Sequence, residues 1–85
     1  MTIQLHKNFK KQYEKLTESQ KRKFRERRGA FLLDEFNPIL NNHALKGIYL
    51  GYRSINVTGD IRVIFKIEGE DAIFVKIGSH SKLYG

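Results

Sequence analysis

Asn56, Asp60, Arg62, His80 and Tyr84 fall where three strand-like runs near the C-terminal end of this 85-residue chain would finish together. An imidazole beside a carboxylate can move protons near neutral pH. A neighbouring guanidinium can stabilise charge that develops on a phosphate. Cleavage of RNA by its own 2′-hydroxyl needs a base for that hydroxyl, a cation for the phosphorane and an acid for the departing 5′-oxygen. His80, Asp60, Arg62 and His43 have the side chains for those tasks, and Tyr84 can stack on a base or pin the tail to the sheet. Against this stand bland readings. His80 can be a surface histidine, and acids such as Asp60 are common in turns. Lys66 and Lys76 read as solvated strand residues, and His6 as incidental.

The elements that must position these residues follow from periodicity. Alternation is clean in three runs: Ile55 and Val57; Ile61, Val63, Phe65 and Ile67; Ile73, Val75 and Ile77. Period two places one face on a core and one toward solvent. A three-residue loop, Thr58-Gly59-Asp60, keeps the apolar faces together by pairing Val57 with Ile61 and Ile55 with Val63. The second hairpin has its loop within Glu68-Gly69-Glu70-Asp71, with Phe65 opposite either Ile73 or Val75. His80 then lies beside Thr58 or beside Asp60. Even-numbered Asn56, Arg62 and His80 share the face away from the core. Arg53 lies on the core face, where it can snorkel to the sheet rim.

Upstream, Thr2–Leu5 reads as a short edge strand. Phe9, Tyr13 and Leu16 make an amphipathic stripe that ends near Leu16. Thr17-Glu18-Ser19-Gln20 is a capping box that opens a second helix at Glu18. Phe24, Phe31, Leu32 and Phe36 are its expected buried face, Gly29 weakens it, and Asn37-Pro38 closes it. Residues 39–50 form a connector that carries His43 and Lys46. The expected fold is α+β: an αα-hairpin on one face of a small antiparallel sheet of three to four strands, as a single domain over residues 1–85.

Composition bounds the function. The net charge is +7, and residues 1–30 hold ten Lys/Arg against three Glu, so the N-terminal third carries all of it. Such a field attracts polyanions in a salt-dependent way, although a solvated helix pair would look the same. Ten aromatics and 40% hydrophobic residues suit a globular domain. With no cysteine there is no disulfide framework or thiolate metal site, in keeping with a reducing cytoplasm. No apolar run reaches membrane-helix length, and MTIQLHKNFKKQ lacks a signal-peptide core. Phosphate-loop, dinucleotide and metal motifs are missing, so no cofactor is expected.

Asn42-His43-Ala44-Leu45-Lys46-Gly47, Gly51-Tyr52-Arg53, Gly59-Asp60-Ile61-Arg62-Val63-Ile64-Phe65-Lys66 and Ile77-Gly78-Ser79-His80-Ser81-Lys82-Leu83-Tyr84 stand in order over about half of the chain. This segment resembles the RelE/ParE superfamily of bacterial type II toxins, most closely its YafQ-like branch. The resemblance implies a ribosome-dependent endoribonuclease that cuts mRNA in the ribosomal decoding site and is held inactive by a cognate antitoxin. It implies His43, Asp60 and His80 as catalytic residues. Lys46, Asn56, Arg62 and Tyr84 would bind RNA, and the basic helices would dock on ribosomal RNA or receive an acidic antitoxin segment. Some relatives have histidine where this chain has Asn56, and asparagine transfers no proton at neutral pH. Phenylalanine occurs in some relatives where Tyr84 stands here. Two other functions share the fold: a ParE-type, non-enzymatic inhibitor of DNA gyrase, and a relative that binds nucleic acid without cutting it.

Overall fold

The computed structural model describes residues 1–84. Strand β1 (Thr2–Leu5) leads into α1 (Lys7–Glu14) and α2 (Glu18–Leu33). The connector contains a 3-10 turn at Pro38–Leu40, the two-residue strand β2 (His43–Ala44) and a second 3-10 turn at Gly47–Tyr49. Then come β3 (Arg53–Asn56), β4 (Ile61–Glu68), β5 (Asp71–Ser79) and a short closing helix, α3 (His80–Tyr84). The sheet has five strands in the order β1-β5-β4-β3-β2.

Two features correct the expected sheet. It is mixed rather than antiparallel, because β1 lies parallel to β5, with Leu5 opposite Phe74. It also gains an edge strand from the connector, where His43 pairs with Ser54 and Ala44 with Arg53. Neither pairing is visible as alternation: β2 is too short to show a period, and a four-residue edge strand carries no signal of its direction.

Both helices start as their caps dictate. His6 accepts the Asn8 N–H on its Nδ1 at 3.1 Å and so caps α1. Thr17 and Gln20 close the capping box of α2, with Gln20 N–H donating to the Thr17 hydroxyl at 3.1 Å and Thr17 N–H to the Gln20 side chain at 2.9 Å. The helix stops at Leu33, short of Asn37-Pro38. As a result Phe36 lies beyond it and is 59% exposed, and Leu32 also faces out, so the expected buried face holds only for Phe24 and Phe31.

Phe9, Phe24 and Phe31 from the helices meet Phe65 and Phe74 from the sheet in one aromatic cluster, with tilted and edge-on rings whose centroids lie 5.2–6.1 Å apart. These geometries suit the ring quadrupole. Ile55, Val57, Ile61, Val63 and Ile77 complete the core.

In the first hairpin Ile55 stands opposite Val63, and Val57 N–H donates to the Ile61 carbonyl at 2.8 Å, as a three-residue loop requires. Between its turn and Phe65 the second hairpin departs from both expected registers; past Phe65 it follows the one that would set Phe65 opposite Val75. Gly69, at φ +62°, turns the chain within two residues, so Glu68 faces Asp71 and Phe65 faces Phe74. That register would mismatch the two halves of β5. A bulge at Val75 absorbs the extra residue, and beyond it Ile64 pairs with Lys76 and Val63 with Ile77. The core residues of β5 are therefore Ala72, Phe74 and Ile77, while Ile73 and Val75 are only half-buried. Strict alternation could not anticipate this change of parity inside one strand. Past the bulge the ladder runs on to Ile61 opposite Ser79 and sets His80 beside Asp60.

Candidate active site

The sheet face turned away from α1 and α2 carries a cleft of about 380 Å³. Its walls come from sequence-distant pieces. The connector contributes Asn41, His43, Lys46 and Tyr49; the sheet contributes Ser54 and Arg62; α3 contributes His80 and Tyr84. Five of the seven residues singled out from the sequence thus meet in one place: His43, Lys46, Arg62, His80 and Tyr84.

Each is held by local structure. Asn41 takes a left-handed conformation at φ +48°, which asparagine tolerates well. Its carbonyl then lies 2.8 Å from His43 Nδ1. A carbonyl only accepts, so Nδ1 carries the proton and Nε2 is left for chemistry. Pairing with Ser54 fixes the backbone of His43. Arg62 donates from Nη1 to the Thr58 carbonyl at 2.8 Å and to the Ile61 carbonyl at 3.3 Å, which anchors the guanidinium at the turn and leaves other N–H groups available. His80 opens α3, where the Ser79 hydroxyl accepts the Lys82 N–H at 3.3 Å. One turn on, the Tyr84 ring packs against the imidazole, with centroids 4.8 Å apart.

The other two residues are placed differently. Asn56 stands opposite Arg62 on the ladder but does not line the cleft, and its Oδ1 is buried without a hydrogen-bond partner. Asp60 is exposed and borders a separate depression with Gln12, Lys15 and Lys82. Its backbone, not its carboxylate, touches the histidine, through His80 N–H donating to the Asp60 carbonyl at 3.1 Å. The sheet corner thus brings Asp60 and His80 together as residues while their side chains diverge.

A family model described as the bacterial toxin of type II toxin-antitoxin system, YafQ, matches residues 1–85. The chain belongs to the YafQ toxin family. Solved structures carry the same fold. YafQ from E. coli strain BL21(DE3) superposes with a TM-score of 0.83 at 21% identity, covering 98% of this chain and 97% of that one. In the E. coli DinJ-YafQ toxin-antitoxin complex the corresponding values are 0.76 and 23%, with 98% and 96% covered. For the RelB-RelE antitoxin-toxin complex from Methanococcus jannaschii they are 0.77 and 18%, with 95% and 94% covered. No curated protein sequence matches the chain.

In this YafQ-family chain four cleft residues were not singled out from the sequence: Asn41, Leu45, Tyr49 and Ser54. Ser54 is buried at the cleft with its hydroxyl unpartnered. Its even number, shared with Asn56 and Arg62, was the available signal. Tyr49 lines the cleft from a stretch with no period; only the 3-10 turn after Gly47 brings it there, and no sequence signal marks it. Arg53 turns out to be a strut: its Nε donates to Asn42 Oδ1 at 2.7 Å, and its guanidinium lies 5.6 Å from the Phe36 ring centre. The described residues contain no group of three or more side chains able to hold a metal ion, and no helix long and apolar enough to cross a membrane.

Proposed function

We propose that this YafQ-family toxin is a ribosome-dependent endoribonuclease that cuts translated mRNA by acid–base catalysis. The observation that carries the reading is the convergence of His43 and His80, from opposite sides of the sheet sequence, on one cleft that also holds Arg62 and Lys46. RNA supplies its own nucleophile, so the protein need only move protons and stabilise charge. One imidazole takes the 2′-hydroxyl proton as the O2′–P bond forms. The other gives a proton to the 5′-oxygen as the P–O5′ bond breaks. The products are a 2′,3′-cyclic phosphate and a 5′-hydroxyl.

His43, with Nδ1 committed to Asn41, presents Nε2 for one of these steps. Arg62 and Lys46 meet the phosphorane charge, and Tyr84 offers a ring to a base. Asp60 supports His80 from the turn through its backbone carbonyl, and Asn56 stands opposite Arg62 on the ladder, beside the RNA-binding face. The basic helices give the salt-sensitive phosphate contacts that ribosomal RNA requires. A cognate antitoxin is the second partner, as in the DinJ-YafQ and RelB-RelE complexes.

The test is induced expression of the wild type beside His80→Ala and His43→Ala, with primer extension on a translated mRNA. Growth arrest with discrete in-frame cuts, both lost in the variants, is the expected result. Arrest that persists in the variants with intact mRNA would overturn it and point to gyrase inhibition.

A further inference from the structure

A second depression, of about 500 Å³, lies on the same open sheet face, on the far side of Tyr49 from the cleft. Tyr49 lines both hollows and is the wall between them. Its hydroxyl is held from two sides, donating to the Leu83 carbonyl at 3.1 Å and accepting from Lys76 Nζ at 3.0 Å. Rings run in a row from the catalytic histidine across this wall. His80 to Tyr84 is 4.8 Å between centroids, Tyr84 to Tyr49 5.8 Å and Tyr49 to Tyr52 6.3 Å. Lysines flank the far end: Lys76 Nζ lies 5.2 Å from the Tyr49 ring centre and Lys66 Nζ 5.8 Å from that of Tyr52. The bulge in β5 is what makes room for this, since Val75 and Lys76, adjacent in sequence, both line the depression.

We propose that this second depression is a binding subsite for nucleotides flanking the cut, so that single-stranded RNA crosses Tyr49 and continues over Tyr52 between Lys66 and Lys76. The inference rests on the RNA-cleaving reading of the cleft. Its chemistry is that of sequence-tolerant single-strand grooves: aromatic rings in series beside cations that track the backbone. Every nucleobase offers a π-face to such a row, and one acid, Glu68, paired with Lys66 at 2.9 Å, keeps that end from being a bare phosphate trap. The substrate class is therefore an extended single strand longer than the two nucleotides that bracket the cut.

Isotope-labelled protein titrated with mixed-sequence 2′-O-methyl RNAs of two and five nucleotides, followed by amide chemical shifts, tests this without cleavage. The expected result is that the dinucleotide moves signals around His43, Arg62 and His80 only. The pentanucleotide also moves those of Tyr52, Lys66 and Val75, and binds several-fold tighter. In Tyr52→Leu and Lys66→Gln, both with wild-type melting curves, the gain with length is lost while the dinucleotide response stays. Shifts confined to the cleft at both lengths, or a length gain that survives in both variants, overturn the subsite. A protein that cuts mRNA yet shows no response in the second depression loses this inference alone. A protein that shows the length-dependent response but cuts nothing keeps the subsite and loses the nuclease.

Discussion

His80 N–H donates to the Asp60 carbonyl at 3.1 Å, which fastens the first residue of α3 to the turn that begins β4. The contact is made by backbone, so it survives changes at the Asp60 side chain. Asp60→Asn is therefore expected to leave the fold within about 0.5 kcal/mol of wild type, as for exposed substitutions generally. It should also reduce RNA cleavage less than His80→Ala does. Parallel urea melts and single-turnover cleavage assays of the two variants check this; equal loss of cleavage would show the carboxylate taking part in proton transfer.

An acid and a base drawn from two imidazoles give a bell-shaped pH–rate profile. With His43 and His80 in those roles, His43→Gln should flatten one limb and His80→Gln the other, each with a rate loss of about 10²–10⁴-fold. Cleavage rates across pH, with saturating ribosome-bound substrate, read the limbs. Two variants that lose the same limb would assign one proton to both residues and remove the pairing.

His43 also depends on a strut below it. Asn42 accepts from Arg53 Nε at 2.7 Å and donates from Nδ2 to the Glu35 carbonyl at 2.9 Å, which ties the connector to β3. Asn42→Ala leaves the guanidinium short of a half-buried partner, a loss of about 1–3 kcal/mol. Denaturant unfolding should show that drop, and cleavage should fall because His43 is the next residue along. Unchanged stability would mean the strut is dispensable.

Phe74 is fully buried and packs its ring against Phe9, Phe24, Phe31 and Phe65. Truncation to alanine is expected to cost about 3–5 kcal/mol, a large share of the stability of a domain this small. Phe74→Leu should cost less and keep a cooperative melt. A mild effect of Phe74→Ala would contradict the register that places Phe74, rather than Ile73, in the core.

Lys66 titrates above an ordinary lysine, mainly because its ammonium is hydrogen-bonded to Glu68 and attracted to that carboxylate, and secondarily through Tyr52. Because its folded value is raised, the associated stabilisation is fully present at neutral pH. It disappears as pH climbs from the usual lysine range through the raised value. The pair is solvent-exposed, so the effect belongs in a titration rather than in a melting point. An NMR titration of the Lys66 side chain should show the elevated midpoint, and Glu68→Gln should bring it down. A midpoint indifferent to Glu68→Gln would exclude the pair as its cause.

Much of the molecule was legible because it rests on local rules. Thr17 and Gln20 announce the start of α2 by their spacing alone, and the reciprocal hydrogen bonds are there. The pairing of Ile55 with Val63 follows from keeping two apolar sets on one face across a three-residue loop. Other features came from competition between local rules. Gly69 prefers a two-residue turn, alternation wants a different register, and the bulge at Val75 is how the chain satisfies both. Leu32 and Phe36 looked like core, yet Leu32 faces outward from the last turn of α2 and Phe36 lies beyond the end of the helix at Leu33.

The sequence by itself determined the two helices, the three-strand core of the sheet, the placing of the charge and the family resemblance. Each of these is written in neighbouring residues. Which side chains meet was decided only by tertiary structure. A two-residue strand carries no period, so nothing local says that His43 will pair beside Ser54 or that β1 will run parallel to β5. Nor does parity distinguish a backbone contact from a side-chain contact, and so Asp60 and His80 are neighbours whose functional groups face different hollows. Tyr49 reaches the cleft only because the connector folds back over the sheet, held there by Leu83 and Lys76 from chain segments more than twenty residues away.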